Sequence, residues 1–281
     1  MTGFQRRTFL ITGVSSGFGR AFARAALDDG HVVIGTVRDD AAAAAFTTLD
    51  ATRARAVKLD VTDFDAIAPC VAALDRETPI DVLVNNAGYG HEGVVEESPL
   101  DELRRQFDVN VFGAVAMTKA VLPNMRRRRR GHIVNVTSMG GTITMPGIAY
   151  YCGSKFALEG ISDALAQEVA PLGIKVTALA PGSFRTDWAG RSMVRSDRSI
   201  ADYDALFGPI RRAREEKHGR QAGDPARAAR VLLDVVGSDD PPVHLLLGSD
   251  ALALVEASLA ARAAEVTRWA PVSRSTDFVD G

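Results

Sequence analysis

This 281-residue sequence predicts an α/β fold built on a doubly wound parallel sheet, on the strength of three observations. Seven short runs rich in β-branched apolar residues recur along the chain, and their near-continuous apolarity suits strands buried on both faces. Longer stretches with helical spacing separate them, so strand and helix alternate as right-handed βαβ crossovers with helices on both sides of the sheet. Glycines cluster at the first strand-to-helix turn, where open parallel sheets hold their ligands.

The first strand is expected over Thr8 to Thr12 and the first helix over Phe18 to Asp29. Strands follow over His31 to Val37 and Arg55 to Val61, a helix over Phe64 to Arg76, and a strand over Asp81 to Asn85. One long helix spans Leu100 to Met125, then come a strand over His132 to Thr137, a helix over Tyr150 to Leu172 and a strand over Ile174 to Ala180. The series closes with a helix over Ala226 to Val236 and a strand over Val243 to Leu247. From Ser183 to Gly223 no strand is read; Phe184, Trp188, Met193, Tyr203 and Phe207 among many charges suit a helical lid inserted over a pocket. Residues 271–281 are polar and aperiodic and read as a flexible tail, and the whole chain as a single domain.

Hydrophobic residues make up 46% and charged residues 24% of the chain, too apolar a balance for a disordered protein. A net charge of -2 provides no global field for nucleic acid or an anionic membrane. The basic run Arg126 to Arg130 lacks interleaved aromatics and sits where a helix ends, so it reads as cations favoured by the helix dipole. Cys70 and Cys152 belong to no metal-ligand spacing, and no metal is expected. With no signal-peptide or membrane pattern after Arg6 and Arg7, a cytoplasmic protein is expected.

Thr12 to Gly19 leaves the first strand and opens the first helix, and Gly13, Gly17 and Gly19 there suit a tight turn that lets a pyrophosphate approach the backbone. The spacing Gly-x-x-x-Gly-x-Gly differs from the commoner Gly-x-Gly-x-x-Gly, and glycines in a turn can also be structural. Asp60 leaves the third strand, either to accept from an adenine amino group or to cap the next helix. Asn85-Asn86-Ala87-Gly88 leaves the fourth. After the second strand, Val37 stands where an acidic residue would bind an NAD ribose, and Arg38 follows, suited to the 2′-phosphate of NADP. NADP(H) is therefore favoured, with NAD(H) open through Asp39 or Asp40.

Tyr151 and Lys155 lie four apart and share a helix face, whereas Tyr150 would point around the helix from the lysine. An ammonium beside a phenol is expected to lower the tyrosine pKa and make it a usable acid/base. Ser138 ends the strand before them and could hydrogen-bond a carbonyl or alkoxide oxygen; Thr137 competes for that role.

The ordered set Thr12 to Gly19, Asn85 to Gly88, Asn110 within Val109-Asn110-Val111-Phe112-Gly113, Ser138, Tyr151 to Lys155 and Pro181-Gly182 resembles the short-chain dehydrogenase/reductase family over about residues 8–186. The resemblance implies a Rossmann-type domain of about seven strands, commonly a homodimer or homotetramer, here through the Leu100 to Met125 and Tyr150 to Leu172 helices. It implies Tyr151 as proton donor or acceptor, Lys155 on the nicotinamide ribose, Ser138 on the substrate oxygen and Asn110 in a proton relay. It extends the cofactor-contacting set to Ser15, Ser16, Phe18, Val61, Asn86, Ala87, Pro181, Gly182, Phe184 and Thr186. Phe18 departs from the family's frequent isoleucine, and Cys152 from its frequent serine. For Asn110, satisfying backbone groups at a helix bend is an equal alternative.

The expected activity is interconversion of an alcohol and a ketone or aldehyde, in a largely apolar pocket bounded by Tyr89, Met139, Met145, Trp188 and Met193. His91 invites a catalytic role, although a lone loop histidine is more often exposed. Two alternatives stand: a catalytically silent nucleotide sensor or scaffold of the same fold, and an epimerase or dehydratase, which the compact length disfavours.

Overall fold

The computed structural model describes residues 5–278. In chain order the elements are β1 (Thr8–Ile11), α1 (Gly17–Asp28), β2 (Val32–Val37), α2 (Asp40–Thr47), β3 (Ala54–Lys58), α3 (Phe64–Glu77), β4 (Val82–Asn85), β5 (Gly90–Glu92), α4 (Leu100–Phe107), α5 (Gly113–Arg128), β6 (Gly131–Val136), α6 (Ala149–Val169), β7 (Ile174–Pro181), β8 (Met193–Arg195), α7 (Asp204–Lys217), α8 (Pro225–Gly237), β9 (His244–Leu247) and α9 (Ser249–Arg274). Seven strands form one sheet in the order β3-β2-β1-β4-β6-β7-β9, every pairing parallel. The chain winds outward from β1 through β2 to β3, then crosses back to begin β4 on the other side of β1. That reversal opens a crevice above the carboxyl ends of β1 and β4.

Alternation along each strand divides the core between two layers. Phe9 and Ile11 of β1 pack with Phe22 and Ala26 of α1 and Leu232 and Val236 of α8. Leu10 points the other way, into Val71 and Leu74 of α3, Val121 and Met125 of α5, and Val169 of α6. Each of the larger buried side chains, such as Phe9, Ile11 and Leu10, contributes about 1.5–3 kcal/mol of transfer free energy, so both sheet faces are held by packed layers.

Three sequence expectations need correction. The single helix over Leu100 to Met125 is divided by a π-turn at Asp108–Phe112, which accommodates the inward-turned Asn110. A strand does occur between Ser183 and Gly223: β8 pairs in parallel with β5, three residues to three, too short to leave a periodic signal. The expected tail is partly helical, for α9 continues to Arg274. Its Ala-rich turns carry it past Pro271, whose missing N–H removes one helical bond. Residues 279–281 lie outside the described residues. Helix α2, capped by Asp39 accepting from Ala42 N at 2.8 Å, is additional to the expected elements.

The basic run behaves as expected for a helix end. Arg126 to Arg128 form the last turn of α5, and Arg129 caps it with φ 53°. Arg128 donates to Asp75 and to Ile80 O, and Arg130 pairs with Asp81 at 3.7 Å. Among the described residues no helix is long and apolar enough to cross a membrane.

The lid is helical in α7, and charge ties it to the body. Glu92 at the end of β5 is 1% exposed in its side chain and pairs with Arg195, Arg211 and Arg214 at 3.3, 3.6 and 3.1 Å. Nearby, Glu97 accepts from Ser199 N, Ile200 N and Arg198 Nε.

Candidate active site

The turn between β1 and α1 is compressed in a way that only glycine permits. Gly13 and Gly17 have φ of 71° and 53°, in the left-handed region. A Cβ on Gly19 would lie 2.2 Å from Gly13 O and 2.5 Å from Asn86 Nδ2. Ser16 precedes α1 in an extended conformation and makes no capping bond, which leaves the first N–H groups of the helix to an outside partner. A close-folded glycine turn ending on an uncapped helix fits a dinucleotide pyrophosphate. Ser15 is exposed and Phe18 half-buried beside it.

Asn86 holds this turn by its side chain, donating to Thr12 O at 2.8 Å and Gly13 O at 3.1 Å. Thr12 Oγ1 in turn accepts from Asn86 N and Ala87 N, both at 2.9 Å. Thr36 Oγ1 accepts from Gly13 N at 3.1 Å. Thr12, the first residue of the turn, and Thr36 of β2 are buried supports of the site; Thr36 was missed by sequence reasoning because an inward threonine in a strand carries no signal of its own.

Asp60 is exposed, and one carboxylate oxygen accepts from Thr62 N and Oγ1 in a local turn; Asp63, not Asp60, caps α3. Val61 is buried, with its carbonyl 2.8 Å from where a Cβ on Gly113 would lie. Arg38 at the end of β2 is exposed. Its acidic neighbours are committed elsewhere, Asp39 to the α2 cap and Asp40 to Lys58 at 3.0 Å.

At the exits of β4 and β6 the structure brings the expected polar residues together. Tyr151, Ser138 and Lys155 are 7%, 8% and 6% exposed. Thr137 Oγ1 donates to Leu179 O, so it is engaged within the sheet, whereas Ser138 Oγ stands at the head of the following turn and accepts from Gly140 N at 3.0 Å. Tyr150 points away, donating to Ser98 O at 2.9 Å. A Cβ on Gly88 would lie 3.0 Å from Asn110 Oδ1 and 3.7 Å from Lys155 Nζ, a measure of how closely the β4 exit gathers both groups. Asn110 Oδ1 accepts from Tyr89 N, and its Nδ2 donates to Tyr89 O and Ser154 Oγ, each at 3.1 Å. That reciprocal pairing is the backbone-satisfying role, and it fixes Asn110 within the π-turn.

The electrostatics depart from the sequence expectation. Burial pushes the Tyr151 phenol up to about 12, and Ser138 beside it opposes the shift. Burial lowers Lys155 to about 8, opposed by Glu159. Lys155 Nζ donates to Val136 O at 2.8 Å and sits 5.8 Å from the centre of the Tyr151 ring. Loss of water around the phenolate is the largest influence on Tyr151, and the hydrogen-bonding groups that oppose it are Ser138 and Trp188.

Beyond β7, Thr186 packs 3.7 Å from where a Cβ on Gly17 would lie, which joins this loop to the glycine turn. Phe184 is buried against Phe18, ring centres 5.1 Å apart. Pro181 ends β7, and Gly182 packs on Asp250, whose carboxylate accepts from Ser183 N. Among the pocket candidates, Trp188 stands 5.0 Å from the Tyr151 ring, Met145 and Trp188 pack on the Tyr151 and Cys152 cluster, and Met193 is buried. Met139 follows Ser138 and is half-buried. The Tyr89 hydroxyl is buried with no hydrogen-bond partner, and burial raises its pKa to about 12. His91 is not on the surface: it is buried in β5, shares a 2.9 Å hydrogen bond with Ser196 Oγ and stacks on Tyr150, so it supports the lid root.

A family model described as short chain dehydrogenase matches residues 7–195. An oxidoreductase of Botryotinia fuckeliana is 38% identical over 95% of this chain and 98% of its own. A 3-ketodihydrosphingosine reductase of Bacteroides thetaiotaomicron is 36% identical over 87% of this chain and 88% of its own. Among solved structures, a short-chain dehydrogenase of Streptomyces avermitilis superposes with a TM-score of 0.90 at 40% identity, over 98% of this chain and 100% of that one. One from Burkholderia phymatum in complex with NAD gives 0.78 at 25% identity, over 91% and 94%. A serine dehydrogenase complexed with NADP+ gives 0.73 at 26% identity, over 85% and 94%.

Proposed function

This chain belongs to the short-chain dehydrogenase/reductase family of oxidoreductases, and we propose that it reduces a ketone or aldehyde to an alcohol, reversibly, with Tyr151 as the acid/base. The observation that carries the reading is the convergence of Tyr151, Ser138, Lys155 and Asn110 at the exits of β4 and β6, beside a glycine turn shaped for a dinucleotide. When bound, the nicotinamide supplies or accepts the hydride. Ser138 Oγ holds the substrate oxygen, and Tyr151 delivers its proton to that oxygen in reduction. Burial, which pushes the phenol pKa up to about 12, favours the protonated form that the donor role requires. Lys155, anchored on Val136 O, places its positive charge beneath the site, and Asn110 keeps the β4 exit against α6.

NADP(H) is the preferred cofactor in this reading. Support comes from Arg38, exposed where the 2′-phosphate would lie, while Asp39 and Asp40 are held by a helix cap and by Lys58. The substrate is a carbonyl on an apolar molecule. Met145 and Trp188 pack on the Tyr151 cluster, with Met139 and Met193 expected to complete an apolar surround, and the 36%-identical relative is named 3-ketodihydrosphingosine reductase. Leu100, Phe112 and Ile161 are exposed along α4, the π-turn and α6, which suits association of the chain with copies of itself. The test is a panel of carbonyls spanning short, cyclic and long-chain compounds, followed by nicotinamide absorbance with NADPH and NADH. Oxidation of NADPH by an apolar ketone or aldehyde is expected; binding of nucleotide with no turnover across the panel would favour a sensor.

A further inference from the structure

The indole N–H of Trp188 is a buried donor beside the Tyr151 hydroxyl that makes no hydrogen bond of normal geometry. Its Nε1 is shielded from solvent and has no hydrogen-bond partner of good geometry, yet it is near enough to the Tyr151 oxygen to oppose the rise in the phenol pKa alongside Ser138. A buried donor that is poorly satisfied is destabilising, and native structures rarely tolerate one without a use.

The indole is also held firmly. Trp188 lies in the short turn Asp187–Ala189, whose backbone is closed by Gly190 N and Ser192 N donating to Asp187 O at 3.1 and 3.0 Å. Its ring rests on Gly90 of β5: a Cβ there would come 3.0 Å from Cε2 and Cζ2, so the bare glycine is what admits the indole. Met193 of β8 packs over the same glycine, its Cε 2.9 Å from that Cβ position. The Tyr151 ring tilts 57° across the indole with centres 5.0 Å apart. The β5 and β8 pairing thus clamps one N–H beside the Tyr151 hydroxyl, which Ser138 also adjoins. Tyr151 and Ser138 can each donate or accept, while an indole N–H can only donate.

Resting on the carbonyl-reductase reading above, we infer that Trp188 Nε1–H is a third hydrogen-bond donor to the reacting oxygen of the substrate. In reduction that oxygen gains negative charge as the carbonyl carbon accepts hydride, and it then takes the Tyr151 proton to become a hydroxyl. A donor already aimed at the position where charge develops strengthens as the charge forms, and one such donor typically supplies a factor of about 10²–10³ in turnover. Because Trp188 belongs to the lid, this donor is in place only while the lid is packed on Gly90.

Trp188→Phe keeps a ring against Tyr151 and removes only the N–H. With a carbonyl that the wild type reduces, its kcat is expected to fall about 100-fold with KM within a few-fold of wild type, while the Kd for NADPH stays unchanged and reports an intact fold. In the double variant with Ser138→Ala, the loss in kcat should be smaller than the product of the two single losses, because both donors address one oxygen. A Trp188→Phe kcat within threefold of wild type, or a loss confined to KM, makes Trp188 a pocket wall and overturns the inference while leaving the Tyr151 reading intact. Undiminished turnover in Tyr151→Phe overturns that reading and this inference with it.

Discussion

Replacing Glu92 with glutamine should loosen the lid while leaving the sheet intact. The carboxylate is 1% exposed and faces three guanidinium groups between 3.1 and 3.6 Å. Removing one member of a fully buried ion pair costs about 3–5 kcal/mol. Here the three arginine side chains are 17–32% exposed and regain part of their hydration, which brings the expected loss to about 2–3 kcal/mol. Glutamine has the shape of glutamate, so packing on β5 and β8 is preserved and only the charge is lost. At about tenfold for each 1.4 kcal/mol, amides across residues 193–217 should exchange with solvent about 30- to 150-fold faster. Amides of β1, β4 and β6 should not change. Hydrogen exchange read by mass spectrometry resolves these segments. Exchange over 193–217 within threefold of wild type would show that the lid is held by apolar packing and that the arginine cluster is incidental.

Arg38→Ala should raise the Kd for NADPH about 10- to 100-fold, the worth of one charge-assisted bond, and leave NADH within threefold; equal losses by fluorescence titration would remove the 2′-phosphate assignment. Gly19→Ala should abolish tight binding of both nucleotides, because its Cβ would fall 2.2 Å from Gly13 O, and calorimetric titration showing unchanged affinity would mean the turn is not the cradle. His132 is held to a pKa of about 3 by burial, with Lys175 adding to the effect. The unfolded histidine takes a proton near pH 6.5 and the folded one does not, so stability falls with pH from about 6.5 toward 3, by about 1.4 kcal/mol per unit at most. Between pH 7 and pH 4.5 a His132→Asn variant should lose about 2–3 kcal/mol less than wild type in urea unfolding; parallel curves would place the acid sensitivity elsewhere.

The strands were legible because a parallel sheet buries both faces, and runs such as His132 to Thr137 can hardly be anything else. Tyr151 could be chosen over Tyr150 because helical spacing alone sets which phenol shares a face with Lys155, and the hydrogen bond from Tyr150 to Ser98 O agrees. What sequence could not show depends on desolvation and on contacts distant along the chain. The direction of the Tyr151 pKa followed from the burial of the phenol, which no spacing encodes. The Asn86 amide donates to Thr12 O and Gly13 O, 74 and 73 residues away in the chain, a support of the glycine turn that no local pattern encodes. The π-turn at Asn110 and the three-residue pairing of β5 with β8 are local departures from periodicity, created by the tertiary contacts they serve.

The most direct test of the catalytic assignment is the turnover of Tyr151→Phe with a carbonyl that the wild type reduces, measured at saturating NADPH on protein whose NADPH affinity is shown to be intact. Phenylalanine preserves the ring against Trp188 and removes only the transferable proton. A fall in kcat of about 10²–10⁴-fold is expected for loss of a general acid. A kcat within threefold of wild type would contradict the account, and the proton would have to come from elsewhere.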